Sequence, residues 1–131
     1  MKIGFVIADN YEYDPFRRFA SQFNPEEFEA LTNNCIRFNF NEKIDVVAME
    51  CGIGKVNAAI ATLWLINEEK VDTILNVGLS GAVQNVHRNF IVAGTEYMEC
   101  DFDLTAIGYD LGVKPQDVYI YKADEKLLSI A

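Results

Sequence analysis

Basic residues are scarce in this chain: 11 Lys and Arg stand against 20 Asp and Glu, a net charge of -9. That imbalance disfavours phosphate backbones and anionic membranes, so neither nucleic acid nor a membrane is expected as a partner. Histidine is limited to His87, and Cys35, Cys51 and Cys100 are widely spaced with no CxxC pair. Such a set excludes a disulfide framework and a zinc site, and fits reduced cytoplasmic thiols that behave as small buried hydrophobes. Long apolar runs are missing too. The opening Met1–Ala8 stops at Asp9, too short for a signal peptide or for the roughly 20 apolar residues of a membrane span. No repeat, low-complexity tract or linker breaks the chain.

What remains is a chain of 131 residues that is 50% hydrophobic, enough for a core without staples and expected to form one α/β domain over 1–131. Residues 2–8 are β-branched and apolar on both faces, the pattern of a central strand with helices on both sides. Asp14 and Pro15 read as N-cap and first residue of a helix with the apolar stripe Phe16, Phe19, Ala20 and Phe23, so Arg17 falls at a helix start. Segments 28–32, 36–40 and 44–49, separated by Asn-rich breaks, predict an antiparallel meander. A helix over 56–69 follows, with the stripe Val56, Ala59, Ile60, Leu63 and Ile66, and with Ala58, Ala61 and Leu65 making its other side apolar. A strand at 73–77, an extended segment at about 90–98, an irregular Asp-, Gly- and Tyr-rich stretch and a helix start after Asp124 complete the pattern. Strands 2–8, 44–50 and 73–77 are expected side by side in one sheet.

Several short motifs invite chemistry. Gly52-Ile53-Gly54 lies between a strand and a helix, but Asn57 stands where GxGxxG needs its third glycine, so a dinucleotide fold is disfavoured and no cofactor is expected. Gly78-Leu79-Ser80-Gly81-Ala82 lacks the last glycine of a nucleophile elbow, and no acidic residue separates Ser80 from His87, which disfavours a serine hydrolase. Both glycine turns, and Glu12 after the first strand, nonetheless fall at carboxyl ends of strands, where open α/β sheets bind ligands. Convergence of Glu12, Ile53 and the Gly78–Gly81 turn in one pocket is therefore expected. Asp101 and Asp103 lack a third ligand at metal-site spacing, and no metal is expected.

In this order, Met1–Gly4 with Glu12, Gly52-Ile53-Gly54-Lys55-Val56-Asn57-Ala58-Ala59, Asn76–Gly81, Asp101–Tyr109 and Lys122-Ala123-Asp124 resemble the 5′-methylthioadenosine/S-adenosylhomocysteine nucleosidases of the nucleoside phosphorylase superfamily, over their N-terminal part. The resemblance implies a three-layer α/β/α fold around a mixed, partly barrel-like sheet. It implies a hydrolase of methionine salvage that cleaves the N-glycosidic bond of a purine nucleoside and works as a homodimer. Glu12 matches the glutamate that activates water. Ile53, Gly78, Leu79, Ser80 and Gly81 match segments lining the ribose and water site. Leu104 and Ile107 match positions at the 5′ side of the substrate, the second contributed across the dimer.

Departures from that pattern are Leu79 in place of a small hydroxyl residue, Cys100 in place of histidine, Thr95 in place of aspartate and Ile107 in place of an aromatic. The resemblance also implies that the ribose-binding Met-Glu pair and the acid for the purine lie beyond residue 131. The chain by itself is thus expected to be truncated and without turnover. Two other functions compete. Asp14-Pro15-Phe16-Arg17 resembles the Asp-Pro-x-Arg of phosphate-dependent purine nucleoside phosphorylases, which makes Arg17 a candidate anion ligand, and the missing half is also compatible with a non-catalytic nucleoside-binding remnant.

Overall fold

The computed structural model describes residues 1–83 and 86–131, which divide into two compact units, Met1–Gly81 and Ala82–Ala131. In the first, strands β1 (Lys2–Ile7), β2 (Glu26–Ala30), β3 (Asn33–Asn41), β4 (Ile44–Glu50) and β5 (Thr73–Val77) form one mixed sheet in the order β2-β3-β4-β1-β5. The meander β2-β3-β4 is antiparallel, as its polar breaks imply, and β1 lies parallel to both β4 and β5.

Side-chain alternation along the central strands divides the core in two, because successive residues point to opposite faces. Val6, Cys35, Val47 and Met49 pack with Ala61 and Leu65 of helix α2 (Lys55–Asn67). Their neighbours Ile7, Ile36, Val46 and Ala48 pack with Tyr13 and Ala20 of helix α1 (Asn10–Ala20). One helix thus covers each face of the sheet, the three-layer arrangement expected of the sequence. An aromatic cluster fills the α1 side, with Phe16 4.9 Å from Phe5 and Phe23 stacked on Phe38 at 5.2 Å between ring centroids.

Both helices differ from the sequence reading. Helix α1 starts at Asn10, not after Asp14: Asp9 is its N-cap, the Asp9 carboxylate accepting from the Glu12 N–H at 3.1 Å, and Pro15 lies inside the helix. Proline favours a first turn, but a capping aspartate with a glutamate three residues on is the stronger start signal here. In α2 the predicted stripe faces outward, with Val56, Ile60, Leu63 and Ile66 exposed, while Ala58, Ala61, Trp64 and Leu65 meet the sheet. The larger aliphatics are left on the far side.

In the second unit a two-stranded antiparallel ribbon joins β6 (Glu96–Tyr97) to β7 (Tyr121–Lys122). A 3-10 turn at Thr105–Ile107 and helix α3 (Glu125–Leu128), capped by the Asp124 carboxylate, complete it. The extended segment expected at 90–98 is strand only at Glu96–Tyr97. Apolar β-branched residues favour extension, yet a strand needs a partner, and among the described residues β7 offers one for two positions alone. No helix among the described residues is long and apolar enough to cross a membrane.

Candidate active site

The three parallel strands of the first unit end level with one another: Ile7 lies opposite Glu50 of β4 and opposite Val77 of β5. The first turn of α1, the Gly52–Gly54 turn and the Gly78–Gly81 turn therefore leave from the same carboxyl-terminal edge, where a parallel sheet offers its crevice.

Glu12 occupies the third position of α1, not a loop. Its half-buried side chain turns back towards the sheet. The carboxylate accepts from the Leu79 N–H at 2.6 Å through one oxygen and from the Ala8 N–H at 3.3 Å through the other. Hydrogen bonds to a carboxylate are stronger than neutral ones, so these contacts fix the side chain over the adjoining ends of β1 and β5. The Leu79 side chain points into solvent, 88% exposed. Residue 79 thus serves Glu12 through its backbone, a contact indifferent to the replacement of a hydroxyl side chain by leucine. Ser80 and Gly81 are exposed beyond it.

The Gly52–Gly54 turn owes its glycines to backbone geometry, with φ of +84° and +112°, values that L side chains rarely adopt. The Asn57 side chain donates to the Ile53 carbonyl at 2.9 Å and closes the turn where a third glycine would otherwise stand. Ile53 itself is 75% exposed on this edge. Leu104 and Ile107 belong to the second unit, the first half-buried and the second exposed on the 3-10 turn. The Asp103 carboxylate accepts from the Thr105 N–H at 2.8 Å to start that turn, and bonding to Thr105 holds its carboxyl below the ordinary value. Among the described residues no group of three or more His, Cys, Asp or Glu could hold a metal ion.

Arg17 lies in the last turn of α1, the end of the helix dipole that repels anions, not at its start as the sequence reading had it. Its guanidinium pairs with Glu27 at 3.4 Å and Asp14 at 4.0 Å. It lines a cleft of about 520 Å³ that it shares with Tyr13, Asp14, Glu27, Glu29 and Glu50. Four carboxylates around one guanidinium make this a poor seat for phosphate. Burial, reinforced by Cys35, Glu27 and Glu50, pushes the Tyr13 hydroxyl well above its ordinary value.

Asp9 is the residue of this site that motif reading passed over. The signal was present as an aspartate three residues before a glutamate at the end of an apolar strand, the spacing of a capping box.

With this geometry in view, similarity places the chain. The model of the phosphorylase superfamily matches residues 2–131. The chain belongs to that superfamily. It is 35% identical, over 132 aligned positions, to the 5′-methylthioadenosine/S-adenosylhomocysteine nucleosidase of Maridesulfovibrio salexigens, covering 100% of this chain and 56% of that protein. Among solved structures, the S-adenosylhomocysteine nucleosidase of Streptococcus pyogenes in complex with 5-methylthiotubericidin superposes with a TM-score of 0.80 at 25% identity, over 99% of this chain and 54% of that one. Futalosine hydrolase of Helicobacter pylori shares the fold, with a TM-score of 0.89 at 23% identity over 99% of this chain and 55% of that one. The chain spans about half the length of these relatives.

Proposed function

We propose that these residues form the water-activating part of a purine nucleosidase that hydrolyses 5′-methylthioadenosine and S-adenosylhomocysteine, a cytoplasmic homodimer of methionine salvage. The observation that carries this reading is the Glu12 carboxylate, held by the Leu79 and Ala8 N–H groups at the shared end of β1 and β5. In the proposed reaction a water oxygen bonds to the anomeric carbon while the carbon–nitrogen bond breaks, its electron pair leaving on the purine. Glu12 takes the proton that the water loses, and an acid elsewhere in the protein supplies the one that the purine gains. Ile53 and the Gly78–Gly81 turn line the ribose and water side in this reading, and by the resemblance Leu104, and Ile107 contributed across the dimer, match positions at the 5′ side. The exposed apolar stripe of α2 supports a dimer, and the names of the relatives support the substrate.

Water is favoured over phosphate because Arg17, the candidate anion ligand, is paired with Glu27 and Asp14. The test is adenine release from methylthioadenosine by the natural polypeptide that carries these residues, with and without added phosphate. Release is expected without phosphate, and Glu12→Gln is expected to lower kcat by about 10²–10⁴ with the fold intact. Strict phosphate dependence, or a Glu12→Gln enzyme within a few-fold of the parent, would sink the assignment.

A further inference from the structure

We infer that Asp9 and Gly78 are positioning residues for the Glu12 carboxylate, Asp9 fixing the turn it springs from and Gly78 leaving the seat it occupies. The inference deepens the water-activating role proposed above for Glu12. A Cβ added to Gly78 would stand 2.7 and 2.9 Å from the two Glu12 carboxylate oxygens and 2.9 Å from the carbon between them, closer than such atoms approach. Gly78 lies outside the left-handed region, so its backbone would admit alanine. What bars a side chain here is room, not conformation. Gly81, three residues on, has nothing among the described residues within 4 Å of its own Cβ position, so the two glycines of this turn meet different surroundings.

From the other side, the extended Asp9 accepts from the Glu12 N–H at 3.1 Å and sets the first turn of α1. Asp9 therefore aims the side chain, Gly78 receives it and Leu79 N–H binds it. A carboxylate has about four acceptor positions. Among the described residues Ala8 and Leu79 take two of them, which leaves capacity on the oxygens for a water whose position is then set by the chain itself.

The test reads the seat directly, without turnover, so an inactive protein does not confound it. In the 131-residue chain the Leu79 amide proton resonance is followed by NMR as pH is lowered. It is expected to shift as the Glu12 carboxylate is protonated, and to lose that shift in Glu12→Gln, in Gly78→Ala and in Asp9→Ala. Asp9→Ser, which restores a capping oxygen, is expected to recover it. A stability cycle gives a second readout: the carboxylate is the far end of a flexible side chain and can move aside, so Gly78→Ala is expected to lower Tm modestly beside Glu12 and hardly at all in a Glu12→Ala background. A Leu79 amide that titrates in Gly78→Ala as in the parent, or a Tm loss equal in both backgrounds, overturns the role of Gly78. An Asp9→Ala chain with the parent's titration overturns that of Asp9.

Discussion

Glu69, just after α2, has a side chain only 8% exposed, yet it serves two cations: Lys2 Nζ donates to it at 2.6 Å and an Arg37 terminal nitrogen at 3.2 Å. Arg37 also lies over the Phe28 ring at 4.1 Å. This one carboxylate ties the end of α2 to β1 and β3. Its removal leaves Lys2 without its anion and Arg37 with only the more distant Glu26 at 3.6 Å, so Glu69→Ala is expected to cost about 1–3 kcal/mol, read as a lower urea midpoint, with Glu69→Gln falling between. The cysteines set an alkaline limit on the fold. Burial pushes the Cys35 thiol from 9.0 up to about 11 and moves Cys51 in the same direction. The folded state thus keeps these protons longer than the unfolded chain. The corresponding stability is complete below pH 9.0 and is lost as pH climbs towards 11. A urea midpoint that falls between pH 8 and pH 10 in the parent, and falls less in Cys35→Ala, is the expected result.

Elements show where sequence was sufficient and where it was not. Strands β1, β3, β4 and β5 were legible because apolar β-branched runs between polar breaks have few alternatives. The meeting of Glu12 with the Gly78 turn followed from their shared place at strand ends. Helix α2 was legible as a helix, but not which side of it faces the sheet, because apolar residues surround it and a period of 3.6 marks a face only when the other face is polar. The packing of Ala58, Ala61, Trp64 and Leu65 against the sheet decides the matter, and it depends on the sheet. A matched pair of substitutions measures that outcome. Leu65→Ala, at a fully buried position, is expected to cost about 2–5 kcal/mol, whereas Leu63→Ala, at an exposed one, is expected to stay within about 0.5 kcal/mol. A larger loss in thermal unfolding for Leu63→Ala than for Leu65→Ala would mean that the helix is turned the other way. Residues 90–95 were misread for a related reason, since propensity proposes a strand but pairing makes one.

For the molecule as a whole, the outward row Val56, Ile60, Leu63 and Ile66 is a continuous apolar surface on a chain of net charge -9. Repulsion between copies opposes contact, and burial of such a row favours it. Ile60→Glu with Leu63→Glu is expected to shift size-exclusion elution to the monomer and to make Tm independent of protein concentration. A parent that is already monomeric would remove the support for a dimer through this face. The strand order has a consequence of another kind, in time. The antiparallel turn that joins Asn41 to Ile44 closes as soon as it is made, but Lys2 must await Asp45, and Ile3 must await Thr73. Among the five strands of this sheet, β1 is made before both of its neighbours and gains the second of them only when β5 is made. Until β5 is synthesised, Lys2–Ile7 has at most one of its flanks paired, so the part of the chain that later anchors Glu12 is also the part most dependent on being kept from premature association during synthesis.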